Sequence, residues 1–164
     1  MKKSKSQLIG TAFVYLFSAV VIALILILGY KYIHSTKEII STTELNLLKN
    51  KIASDIKTIS SDYGSSKKVS YSIPESAELC LFDLNKKEEI LNDALMGSKP
   101  LIKNSLESDA SRNAFLVGRL IFEPFYVGDI EIKEPYFYCL KPVAGKVSFV
   151  IEGLGNRTLV SAVN

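Results

Sequence analysis

His34 is the only histidine among 164 residues, and tryptophan is absent altogether. Because His34 lies at the exit of the long apolar run, no histidine base is available to the rest of the chain for a nucleophilic triad, and one imidazole cannot build a histidine-rich metal site. Cysteine is scarce too: Cys80 and Cys139 are the whole supply and form no CxxC pair, so a thiolate zinc centre lacks its ligands. Also missing are a GxSxG elbow, an HExxH helix and a phosphate-binding glycine loop. These gaps exclude the common hydrolase, zinc-protease and nucleotide-binding patterns. No catalytic residue, no metal ligand and no cofactor is expected. A membrane-anchored enzyme stays as an alternative only because serines and lysines are numerous enough for a Ser/Lys dyad, though nothing singles out a pair.

Acidic residues are absent from the start of the chain, where Lys2, Lys3 and Lys5 account for the whole formal charge of +3. From Lys31 onward, 17 basic residues face 17 acidic ones. Without a basic surplus there is nothing to neutralise phosphates, so nucleic acid is not an expected partner. What the beginning does have is Ser6 to Tyr30, 25 consecutive residues without a charge, with Val20 to Leu28 almost wholly Val, Ile and Leu. At about 1.5 Å rise per residue, such a helix exceeds the roughly 30 Å hydrocarbon core of a bilayer. The expectation is a cytoplasmic basic tail over 1–6 and a transmembrane helix over 7–33. The three lysines set the orientation, and Tyr30, Lys31 and Tyr32 suit the outer interface. A cleaved secretory signal would have an apolar core of about 7–15 residues and a small-x-small site, which Gly29 to Ser35 does not offer. The chain is thus read as a single-pass cell-membrane protein with its C-terminal part extracytoplasmic. Its partners would be the lipid bilayer through residues 7–33, and its own copies or another membrane protein.

Residues 34–63 read as a membrane-proximal amphipathic helix. Ser35-Thr36-Lys37-Glu38 and Ser41-Thr42-Thr43-Glu44 are capping-box patterns. Leu45, Leu48, Ile52, Ile56 and Ile59 form one helical stripe. Ile33, Ile40 and Leu47 fall on nearly the opposite side, which suggests a break near 35–43 and a fresh helix to about Ser60. Gly64 is a candidate left-handed C-cap. Beyond it, 64–164 reads as one β-rich domain. Val69, Tyr71 and Ile73 alternate with serines until Pro74, and Glu78 to Leu84 reads as a more buried strand. Lys86 to Met96 reads as a helix facing inward with Ile90, Leu91, Ala94 and Leu95, and a second short helix starts near Pro100 with Leu101, Ile102 and Leu106. Strands are expected at Ala114–Val117, Leu120–Phe122, Tyr126–Ile132, Tyr136–Lys141, Lys146–Ile151 and Thr158–Val163. Gly153, Gly155 and Asn156 mark a hairpin loop between the last two.

Cys80 and Cys139 each sit in an apolar, strand-like stretch beyond the expected span. A bridge between them is favoured and would contribute about 4 kcal/mol by chain entropy; two buried free thiols are the alternative. Asn156-Arg157-Thr158 is a glycosylation sequon. Asp129, Glu131 and Glu134 could gather round calcium but lack the glycine-turned spacing of a calcium loop. The aromatics Phe122, Phe125, Tyr126, Tyr136, Phe137 and Tyr138 are dense enough for a recognition surface, yet at strand spacing half must point inward.

Lys2-Lys3-Ser4-Lys5-Ser6, followed by Gln7-Leu8-Ile9-Gly10 and the apolar helix, resembles the class III signal of archaeal type IV pilin-like proteins. The resemblance covers residues 1–33 and implies a prepilin-peptidase cut between Ser6 and Gln7, with the apolar helix then packing filament subunits together. Ser6 stands where that family has Gly or Ala, and Thr11 where many bacterial pilins have Glu. Gly29-Tyr30-Lys31, the amphipathic helix, Ser61 to Ser65 and the Leu-Cys-Leu-Phe-Asp strand are also similar to uncharacterised archaeal single-pass membrane proteins, a likeness that implies no activity. Independently of the family, Thr11, Ser18, Ala19 and Ala23 supply the small side chains that close helix packing needs. The expected fold is α+β: a transmembrane helix, an amphipathic helix, and a mainly antiparallel sheet with one or two short helices. The expected role is a non-enzymatic structural or binding one at the cell surface, with a pilin-like or pseudopilin subunit as the alternative.

Overall fold

The computed structural model describes the backbone over residues 5–36, 42–108 and 111–162, and side chains over 14–30, 42–108 and 111–162. The chain divides into two compact units, Met1–Ile39 and Ile40–Asn164.

The first unit is helix α1, Lys5–Thr36. No proline interrupts this stretch, and Leu, Ala and Ile dominate it, so an uninterrupted helix is its natural state. Its large apolar side chains, Val14 to Leu28, are exposed around the whole circumference. The expectation of a transmembrane helix over 7–33 is nevertheless corrected: among the described residues, no helix is long and apolar enough to cross a membrane. Lys2 and Lys3 lie outside the described residues. Lys5, Ser6 and Gln7 open α1, but their side chains are likewise outside them.

The second unit starts with α2, Thr42–Ser60, which buries Leu45, Leu48, Ile52, Ile56 and Ile59. That is the stripe its sequence spacing marks, while Leu47, on the far side, is 64% exposed. Of the suggested break near 35–43, residues 35–36 end α1 and 42–43 begin α2, and 37–41 lie outside the described residues. Gly64 does take a left-handed conformation (φ 80°), but in the turn that leads into β1 rather than as the cap of α2.

Two four-stranded sheets follow, where the sequence suggested one. Strands β1 (Ser66–Ser72), β7 (Lys146–Gly153), β8 (Thr158–Ala162) and β5 (Ile130–Ile132) form the first, in the order β1-β7-β8-β5. Its pairs are antiparallel except β5–β8, which run parallel. Strands β4 (Phe122–Phe125), β3 (Ala114–Gly118), β2 (Ala77–Phe82) and β6 (Phe137–Leu140) form the second, antiparallel throughout, in the order β4-β3-β2-β6. Alternation decides the layers. Val69, Tyr71, Val147, Phe149 and Ile151 of the first sheet face inward, and their serine- and lysine-rich neighbours face out. With α2 they form a core that also takes Leu79, Leu81, Ala114 and Leu116 from the second sheet. The opposite face of that sheet, Cys80, Phe82, Phe115 and Phe137, packs on a second core with Ile90, Met96, Ile102 and Leu106. Strand β2 is thus buried on both faces, as its unbroken apolar run requires.

The helical layer over that second core is more broken than its sequence suggests. A 3-10 turn (Leu84–Lys86), α3 (Lys87–Leu91) and a second 3-10 turn (Ala94–Ser98) replace the single helix over 86–96, while α4 (Pro100–Glu107) starts at Pro100 as expected and buries Ile102 and Leu106 but leaves Leu101 58% exposed. The Asp93 carboxylate accepts from the backbone N–H of Leu95 at 2.8 Å and starts a new turn. The restart rotates Met96 into the core, fully buried, and leaves Leu95 58% exposed. Similarly, 126–129 is a loop rather than strand. Gly128 has φ 110°, a conformation that breaks the pleat and suits glycine alone.

Candidate functional site

Cys80 and Cys139 stand directly opposite each other on β2 and β6 and are joined in a disulfide, with S–S 2.03 Å and Cα–Cα 4.0 Å. The bridge lines the second core beside Phe82, whose ring stacks on Phe137 at 5.6 Å and meets Phe115 edge-on at 5.4 Å. The Glu78 carboxylate comes within 4.8 Å of both sulfurs. Bridged sulfur has no thiolate charge to offer a metal, and Glu78 is ion-paired with Lys99.

Three residues that the sequence flagged for unrelated reasons converge elsewhere: Tyr126 as an aromatic, Asp129 as an acid and Asn156 as a sequon. Together with Ala53, Ile56, Lys57 and Ser60 of α2, and with Val127 and Gly128, they line a cleft of about 360 Å³. Two buried polar side chains hold its walls. Asn113 accepts from Val127 N–H at 3.0 Å and donates to the Gly128 carbonyl at 2.7 Å, clamping the loop 126–129. Thr158, fully buried, donates its hydroxyl to the Ile56 carbonyl at 3.0 Å and ties β8 to α2. Across the mouth, the Tyr126 hydroxyl donates to Asp129 Oδ1 at 2.7 Å. That carboxylate, with a smaller contribution from burial, pushes the phenol up to about 12. An ammonium, a carboxylate, a phenol, a hydroxyl and an amide thus surround an apolar floor, an arrangement able to hold a small polar ligand with one apolar face.

A second depression, of about 520 Å³, lies beside Glu75, Glu78, Lys99 and Lys141. The Lys99–Glu78 ion pair holds two of its four charges together.

The three neighbouring acids do not act as one group. Asp129 is engaged by Tyr126, and Glu131 faces Arg157 at 3.5 Å. Of the flagged aromatics, Phe125 and Phe137 are buried in the two cores, and only Tyr126 is exposed. Asn156 occupies the tip of the β7–β8 hairpin, where Leu154 N–H donates to the Arg157 carbonyl at 2.9 Å around the two-residue loop Gly155-Asn156. The structural importance of Asn113 and Thr158 was missed from sequence. Lys57 and Ser60 carried one usable signal: they lie beside the buried stripe of α2, within one turn of Ile56.

Comparison with protein-family models, with curated proteins and with solved structures finds no match to this chain. What its geometry and chemistry define is a disulfide-bridged α+β unit of two sheets with a mixed-polarity cleft at its α2 face.

Proposed function

We propose that the β-rich unit is a non-enzymatic binding or structural module that works at the cell surface, in an oxidising extracytoplasmic compartment. The observation that carries this reading is the Cys80–Cys139 bridge. Disulfides of this structural kind persist outside the reducing cytosol. The cleft supports the binding half of the reading, since its volume falls within the roughly 300–1,000 Å³ of small-ligand sites. The compartment is tested by acid-quenching native cells and alkylating the protein before and after reduction. No blocked thiol before reduction and two after it are the expected masses. Two blocked thiols before reduction would place the domain in a reducing compartment and overturn the proposal.

A filament-subunit role is the second reading, favoured by one observation: the apolar side chains of α1 from Val14 to Leu28 are exposed on every side. A second copy of this helix is an occupant of matching chemistry, and Ser18, Ala19 and Ala23 permit close approach. This reading requires a mature chain beginning at Gln7. A mature protein beginning at Met1 or Lys2 removes it.

A further inference from the structure

We infer that Asn156 is a glycosylation site, and that the sugar is transferred before the strand β8 has docked. The inference rests on the extracytoplasmic reading above, because N-linked transfer takes place on that side of the membrane. The sequon Asn156-Arg157-Thr158 is placed by the fold at the tip of a tight hairpin, with Asn156 exposed. Such a tip is where a bulky, hydrated group is tolerated without disturbing a core. Beside it lies the cleft of about 360 Å³, whose wall Asn156 itself helps to form, so the first sugar has room against Tyr126, Lys57 and Asp129. Tyr126 is 47% exposed and presents a ring face of the kind on which the apolar face of a sugar stacks.

The other half of the sequon behaves differently. The hydroxyl two residues on is part of what a transferase must read. In the folded protein Thr158 is fully buried, and its hydroxyl is donated to the Ile56 carbonyl of α2. Its backbone N–H is also committed, to the Asp129 carbonyl at 3.0 Å. A folded chain thus shows the acceptor amide while hiding the recognition hydroxyl. Only a chain in which β8 has not yet seated against α2 offers both.

The chemistry needs a co-reactant of one class, an oligosaccharide linked through diphosphate to a polyprenyl lipid. The Nδ2 of Asn156 attacks C1 of the first sugar. The Nδ2–C1 bond forms, the C1–O bond to diphosphate breaks, and the lipid diphosphate leaves with the bonding electron pair. The displaced amide proton passes to a base of the transferase.

The test begins with the intact mass of full-length protein from its native host, measured on the sample used for thiol trapping. The expected result is a glycan mass on the peptide that contains Asn156, lost in Asn156→Gln. That substitution lies on an exposed turn, and its thermal midpoint is expected to match that of the unmodified wild type. Blocked thiols absent before reduction, combined with an unmodified Asn156, would overturn the inference while leaving the compartment reading standing. Free thiols would instead overturn the compartment reading itself. The timing has its own test. Full-length protein made in a host without the transferase is offered to oligosaccharyltransferase and lipid-linked donor, either folded or unfolded in urea and diluted. Modification of the refolding sample alone supports early transfer, with at least a tenfold difference in yield expected. Equal modification of both overturns the timing.

Discussion

Gly153 has no room for a side chain. A Cβ built there would stand 2.0 Å from the Ile59 carbonyl oxygen and 2.2 Å from that of Asp62. The glycine is also hydrogen-bonded on both sides of its peptide, donating to Ser65 and accepting from Gly64. The end of α2 and the end of β7 therefore touch backbone to backbone. Gly153→Ala must push them apart, and we expect a loss on the order of 3 kcal/mol, read as a lower urea midpoint with an unchanged slope. Tyr71 offers a second test at this scale. Its ring is buried in the first core, and its hydroxyl donates to Asp55 at 2.9 Å. Burial first, then the Asp55 carboxylate, hold its pKa well above the ordinary phenol value of 10.0. A raised folded pKa means that this contribution to stability is complete below pH 10 and is lost as pH rises further. Unfolding free energy should therefore fall between about pH 10 and 12. Tyr71→Phe, less stable at neutral pH, should show a shallower fall, which urea titrations across that range would measure.

Helix α2 organises the first core, and its two faces make opposite predictions. Ile52 and Ile56 are buried among both sheets, whereas Leu47 projects outward. Truncating either isoleucine to alanine should cost about 2–5 kcal/mol through lost burial and the cavity left behind. Leu47→Ala should change stability by less than about 0.5 kcal/mol. A similar cost at all three positions would mean that the exposed face of α2 is covered by something else. Among the helices over the second core, the half-buried Asp93 matters because its carboxylate restarts the chain and turns Met96 inward. A one-residue rotation of this kind cannot be read from apolar spacing, since Leu95 and Met96 are equally apolar and differ only in where the new turn begins.

At the scale of the whole molecule, the Cys80–Cys139 bridge closes a loop of 59 residues containing most of the second core. Replacing both cysteines by alanine should remove about 4 kcal/mol on the chain-entropy account, lowering the thermal midpoint of the full chain. The same loss should follow reduction of the wild type. Much of this architecture was legible beforehand. The stripe Leu45 to Ile59, the alternation Val69-Tyr71-Ile73, the doubly buried β2 and the β7–β8 hairpin all follow from local periods of 3.6 and 2 and from turn residues. These patterns act over a few residues, and each segment carries its own. By itself, then, the sequence determined the α2 stripe, the alternation of β1, the buried run of β2 and that Asn156 would sit in a loop, while the breaks at Asp93 and Gly128 escaped it. Only the tertiary structure decided that the strands divide into two sheets, that β5 pairs in parallel with β8, that Cys80 meets Cys139, and that Tyr126, Asp129, Lys57 and Asn156 share one cleft. Each of those is a contact between residues far apart in the chain. It is selected by the joint packing of two cores rather than by any pattern a single segment contains.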